Sequence, residues 1–268
     1  MADATAATTP NRNLGMMSQL ATLLGAQVRL QLMQRKTRAI FVVQLLPVLA
    51  ALVYVVFESV DGLTMFSGIV DNVTIPLLVP LAAIFFGGPA VVEELEGRTL
   101  TYLTLRPVGK GTLFVGKVLA ATIVCLPTVL IPLLALFLLC LWQSPDWGVA
   151  LATLGQTTAA IALGTVTYTM LFAALGAAFA SGLLVSIVYF LVFEMAFGML
   201  PVVEVLSVRF HIRTAGAMVS DQPGLLDRLV LDAPIVLEWY WGVAILCVVS
   251  LGALAIGSWI FRERQYHV

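Results

Sequence analysis

Between Asp146 and Glu194 the chain runs 47 residues without a charged side chain. A bilayer core about 30 Å thick takes roughly 20 apolar residues of helix, so this run is too long for one crossing and has to be divided. The small-residue stretch GAAFASG, Gly176 to Gly182, predicts a tight turn there, leaving spans near 149–175 and 183–203. Four more follow from the same reading: 39–57 between Arg38 and Glu58, 72–92 between Asp71 and Glu93, 118–143 after Lys117, and 239–261 between Glu238 and Arg262. In lipid each backbone polar group needs a partner within its own segment. The fold class is therefore all-α, an integral membrane protein with six transmembrane helices. Composition agrees: 60% of residues are hydrophobic and 11% charged, with mean hydropathy +1.02. A soluble domain carries about a quarter of its residues as charges.

Lysine and arginine set the orientation. With the N-terminus inside, the cytoplasmic segments hold Arg12, Arg29, Arg35, Lys36, Arg38, Arg98, Arg106, Lys110, Lys117, Arg262 and Arg264, which is 11 of the 14 bases. The remaining three, Arg209, Arg213 and Arg228, fall in the external segment 204–238, and most acids also lie outside. Both termini are thus expected in the cytoplasm, and the reverse topology would place the 11 bases outside.

The segments between spans have distinct characters. Residues 1–13 are small and polar, with no apolar core of a signal peptide, and are expected to form a disordered cytoplasmic tail. Residues 14–38 carry Met17, Leu20, Leu24 and Val28 at three-to-four spacing with a basic end. That pattern predicts an amphipathic helix lying in the membrane interface, or a helical extension of the first span. Residues 263–268 form a short cytoplasmic tail. Cys125, Cys140 and Cys247 all sit in apolar runs, with the spacing of neither a disulfide framework nor a metal site. A net charge of −1 gives no basic footprint for nucleic acid.

The loop 93–117 is the most informative stretch. Its three acids suit a helix start, Arg106-Pro107 ends a short helix, and Gly109, Lys110 and Gly111 are expected to turn the chain back toward Lys117 and the third span. Glu94, Glu96, Gly97, Thr99, Leu100, Leu103, Leu105, Pro107, Val108, Lys110, Gly116 and Lys117 form a pattern that resembles the cytoplasmic loop of ABC transporter permeases of the type-2, exporter kind. The basic helix before the first span and the six-span layout are similar too. The family often has Ser where this chain has Gly109.

The resemblance implies a permease subunit in the cell (inner) membrane, paired with a second permease subunit, as a homodimer or with a separately encoded sister permease, and with two copies of an ABC ATPase. ATP and Mg would bind the partner ATPase, and no cofactor would bind this chain. The resemblance further implies that Glu94, Glu96, Gly97, Arg98, Thr99, Leu100, Tyr102, Leu103, Arg106, Pro107 and Lys110 form the ATPase-coupling loop, and that 14–38 braces the ATPase. Part of 203–238 would fold as an external or re-entrant cap, where an extracytoplasmic partner could dock. A non-transporting relative that transmits force or signal across the lipid bilayer would read the same way.

Two motifs in this loop mislead. Gly111 to Lys117, GTLFVGK, imitates a phosphate-binding loop, but Val118 stands where a Mg-binding Ser or Thr is required, and a membrane helix follows. Glu93-Glu94-Leu95-Glu96-Gly97-Arg98 fits the EExxxR signature of CAAX-type intramembrane proteases. Those enzymes need histidines on neighbouring spans, and the only histidines here, His211 and His267, lie outside the spans. No catalytic set or metal site is expected. Glu194 is the one ionisable residue placed well inside a span. Such a carboxylate marks a candidate transport pathway, with Ser181, Ser186 and Tyr189 nearby, or is held by hydrogen bonds inside the bundle.

Overall fold

A computed structural model describes residues 16–57, 61–90, 110–141, 147–179, 181–196, 204–216 and 238–263, and every regular element among them is helical. Helix α1 covers Met16–Met33, α2 Arg35–Gln44 and α3 Leu46–Phe57. Helix α4, Gly62–Gly87, is π-helical over Val70–Leu78. Helices α5 (Lys110–Leu141) and α6 (Trp147–Ala178) are the longest, and α7, Gly182–Ala196, ends in a second π-helical stretch, Phe190–Ala196. A single 3-10 turn, Glu204–Leu206, leads to α8, Val208–Ala215, and α9 closes the order at Trp239–Glu263.

Local chemistry accounts for the breaks. Pro47 has no N–H and disfavours helix at the residue before it, and α2 gives way to α3 at Leu45, whose N–H is shared between the carbonyls of Phe41 and Val42. Asp61 caps α4 by accepting from the Thr64 N–H at 3.0 Å. Pro76 and Pro80 withdraw two more donors from α4. The π-helical stretch spans that region, and the Val79 N–H reaches back five residues to the Thr74 carbonyl.

The long helices pack as neighbours in alternating directions. Gln44 at the α2–α3 break donates to the Leu78 carbonyl of α4 at 2.7 Å. Phe66 near the start of α4 meets Phe137 near the end of α5, edge to face at 5.3 Å. At the other end of the bundle, Phe114 of α5 packs on Phe261 of α9 at 5.7 Å. Helices α6 and α9 run parallel: Thr167 donates to the Leu246 carbonyl at 3.3 Å, and further along Gly257 lies against Ala174. Exposed Trp241 and Trp259 stand 18 residues apart on α9, about 27 Å at 1.5 Å per residue. That is close to the thickness of the hydrocarbon layer, where aromatic belts mark the two interfaces.

Small residues let these helices approach closely. A Cβ on Gly176 would sit 2.6 Å from the Gly88 carbonyl oxygen, and one on Gly87 would sit 2.5 Å from that of Thr169. Gly176 is therefore a packing residue inside α6 rather than part of the expected turn; α6 runs on to Ala178 and α7 starts at Gly182.

Other boundaries differ from the sequence reading as well. The helix carrying the first span starts at Arg35, after a bend at Gln34, not past Arg38. The helix carrying the second starts at Gly62, which places Asp71 within it. Helix α5 begins at Lys110, so Lys110 and Gly111 are helical instead of forming a turn, and Lys117 is buried. Counting uncharged runs treats each charge as a boundary, whereas a paired or packed charge can stay inside a helix. Among the described residues five helices are long and apolar enough to cross a membrane; the fifth expected span corresponds to α7, which has 15 described residues, while 197–203 lie outside the described residues.

Candidate functional site

The expected coupling residues Glu94, Glu96, Gly97, Arg98, Thr99, Leu100, Tyr102, Leu103, Arg106 and Pro107 all lie outside the described residues. Lys110 opens α5. The 93–94 glutamates of the protease-like signature are likewise outside. The remaining candidate, Glu194, stands at the centre of a built cluster.

That cluster forms around α8, whose sequence VRFHIRTA is strongly amphipathic. Val208, His211, Ile212 and Thr214 are buried, and Arg209 and Arg213 fall one turn apart on the other edge. Ile212 fills the space left by Gly164 of α6, which a Cβ would occupy. Gly242 of α9 lets the α8 backbone approach: a Cβ there would lie 2.8 Å from both the His211 oxygen and the Ala215 nitrogen. An eight-residue helix has little stability alone, so these contacts and its charged partners hold it.

Glu194 holds its N-terminus. The carboxylate is fully buried in the π-helical end of α7. One oxygen accepts from the Val208 N–H at 3.1 Å, and the other accepts from the Ser207 hydroxyl at 2.6 Å and the Arg209 N–H at 3.3 Å. Ser207 occupies the N-cap position but makes no cap of its own. A carboxylate supplied by another helix thus takes over the orphan donors of the first turn, at the positive end of the helix dipole. The buried Tyr168 hydroxyl of α6 lies close to this carboxylate without a well-formed hydrogen bond.

Arg213 anchors the other end. Its guanidinium pairs side-on with Asp71, Nε to Oδ1 at 2.6 Å and Nη2 to Oδ2 at 2.9 Å, and reaches Glu204 at 3.5 Å. The Nη2–Oδ2 hydrogen bond fixes direction, and the close Nε–Oδ1 ion contact adds charge attraction. Asp71 lies in the π-helical stretch of α4, so each π-helical stretch among the described residues contributes one acid that grips α8. Insertions of this kind re-aim side chains and recur at functional places. His211 pairs its Nε2 with the Val205 carbonyl at 2.9 Å, and its Nδ1 is unpartnered among the described residues. Burial pushes its imidazole below its ordinary value, partly offset by that hydrogen bond.

The sequence singled out Glu194 but not Asp71, Ser207 or Arg213. The available signal was the i, i+4 pair Arg209 and Arg213 interleaved with apolar residues, a helical period in a segment that reads as a loop. The cluster joins α4, α6, α7 and α9 through one short helix. Chemically it binds and orients: among the described residues no group of His, Cys, Asp and Glu is placed to hold a metal ion. No curated protein matches the chain. Residues 64–236, more than half of it and including α8 with Asp71, Gly164 and Glu194, match the family described as ABC-2 family transporter protein.

Proposed function

The chain belongs to the ABC-2 family of transporter proteins, a multi-pass membrane component that is not itself the ATPase, and on that premise we propose that it is the membrane-spanning permease subunit of an ATP-driven exporter. The observation that carries this reading is the family match over 64–236 together with long apolar helices that alternate in direction. Six crossings and two cytoplasmic termini fit the parallel run of α6 and α9, which obliges the chain between them to return across the bundle. They also fit the gathering of Arg35, Lys110 and Arg262 at one end. The inner membrane of a cell is the expected location.

Energy would come from two copies of a separate ATPase holding ATP and Mg, docked on segment 93–117 of each of two permease subunits. ATP shifts such an assembly only by binding one of its states more tightly. The force would travel from that segment through α4 and α5, which flank it, to the outer end of the bundle. There Asp71 of α4 pulls directly on α8 through Arg213. In this reading Glu194 keeps α8 seated while the spans move, instead of lining a route for cargo.

A second reading is a component that transmits force or signal to an extracytoplasmic partner without moving cargo. It is favoured by the state of the buried polar groups. Both oxygens of Glu194 are engaged, and Thr122, Thr128, Thr165, Thr169 and Ser186 each donate back to a carbonyl of their own helix.

The test of the main reading is affinity purification from the native cell, comparing wild type with charge reversals at Arg98, Arg106 and Lys110. An ATPase with intact nucleotide motifs should copurify with the wild type and be lost with the variant. Absence of any ATPase under mild solubilisation would defeat the proposal. Copurification without vesicle export of any cargo class would move the assignment to the force-transmitting reading.

A further inference from the structure

The bend between α1 and α2 is fixed and heavily basic. Gln34 is extended (φ −69°, ψ 144°), its N–H donates to the Gln31 carbonyl at 3.2 Å, and the buried Thr37 hydroxyl donates to the same carbonyl at 2.5 Å. Arg29, Arg35 and Arg38 are exposed around this bend, with half-buried Lys36 among them. The sequence from residue 4 to residue 57 contains no acid. Among the described residues no carboxylate pairs with these three arginines, and the first turn of α2 has no acid to balance them. Cations at the positive end of a helix repel its dipole unless an anion is present.

The same bend also exposes apolar side chains: Leu30 is 61% exposed, Leu32 51% and Met33 72%. In water that combination is costly, because exposed apolar surface and clustered like charges are presented together. At a membrane surface both are satisfied, the leucines and methionine among acyl chains and the guanidiniums among headgroup phosphates. The bend sits where the apolar face of α2 and α3 begins, with Val42, Leu46, Leu49 and Val53 exposed above it. We propose that Arg29, Arg35 and Arg38, with Leu30, Leu32 and Met33, form a binding surface for anionic phospholipids in the leaflet nearest the start of α5 and the end of α9. The surface concentrates phosphodiester headgroups and anchors the α1–α2 elbow. It depends only on the chain being a membrane protein and is separate from the exporter reading.

The test uses the full-length protein in nanodiscs of phosphatidylcholine containing a minor share of phosphatidylglycerol, with the lipids released alongside the protein counted by native mass spectrometry. Wild type should retain phosphatidylglycerol in excess of its share of the bilayer. The triple variant R29Q/R35Q/R38Q should lose that excess by about fivefold per arginine, on the order of a hundredfold in all. The variant R29K/R35K/R38K should largely keep it, and helical circular dichroism should show that both variants are folded. Undiminished enrichment in the Gln variant would overturn the proposal. So would unchanged lipid enrichment combined with loss of a copurifying ATPase, which would assign the arginines to a protein partner.

Discussion

Replacing Glu194 by glutamine isolates how α8 is held, because size is kept while one acceptor becomes a donor. In the wild type one oxygen serves the Val208 N–H and the other serves both Ser207 and the Arg209 N–H. The better orientation of a glutamine keeps its oxygen on the second pair and turns its amide toward Val208, donor against donor. The loss is then one charge-assisted hydrogen bond, about 1.5–3 kcal/mol, together with about 0.3–1 kcal/mol of attraction to the helix N-terminus. The sum, roughly 2–3 kcal/mol after partial relaxation, corresponds to a roughly 30- to 150-fold rise in local opening of α8. Hydrogen–deuterium exchange in nanodiscs, followed on peptides covering residues 204–216, reads this directly. Those amides should exchange faster by that factor in Glu194→Gln, while amides in the middle of α5 keep their wild-type protection. Unchanged protection of 204–216 would refute the claim that Glu194 holds α8.

Removing either partner of the Arg213–Asp71 pair should lower melting in detergent, and the combination Asp71→Asn with Arg213→Gln should cost less than the sum of the singles. The coupling is expected at about 1–2 kcal/mol, since both side chains keep partial access to solvent; strict additivity would dissolve the pair. Gly176→Ala drives a methyl into the Gly88 carbonyl, a backbone atom unable to yield, and should destabilise by about 1–3 kcal/mol. Gly155→Ala, with nothing within 4 Å, should be neutral or stabilising by up to about 1 kcal/mol. Equal melting temperatures for the two variants would contradict the close crossing of α4 and α6. His211 titrates below its ordinary 6.5 when α8 is packed, so an opened state binds more protons beneath that pH. Packing should be full above pH 6.5 and weaken as pH falls through it. His211→Gln should flatten that slope between pH 7.5 and 5.5 in exchange experiments, whereas an identical slope would assign the titration to other groups.

The apolar spans were legible because the cost of placing a residue in lipid is carried almost entirely by that residue. Runs such as 118–143 and 239–261 therefore announce helices whatever their neighbours, and Asn72 to Gly87 falls within one. The same locality explains the misplaced edges. Asp71, Lys110 and Lys117 are charges, and a chain read one residue at a time treats a charge as the end of a span. Asp71 stays inside α4 because Arg213, 142 residues later in sequence, pairs with it. Glu194 stood out as a buried acid, yet its role depended on which donors reached it, and Ser207, Val208 and Arg209 arrive only through the return of the chain after α7. Gly164, Gly176 and Gly242 become points of contact with particular partners only once the helices are packed. The sequence by itself determined that the chain is helical and membrane-embedded, because hydrophobic transfer is a property of single segments. The tertiary structure alone decided which acid meets which donor and where helices touch, because those energies belong to pairs of atoms that distant parts of the chain bring together.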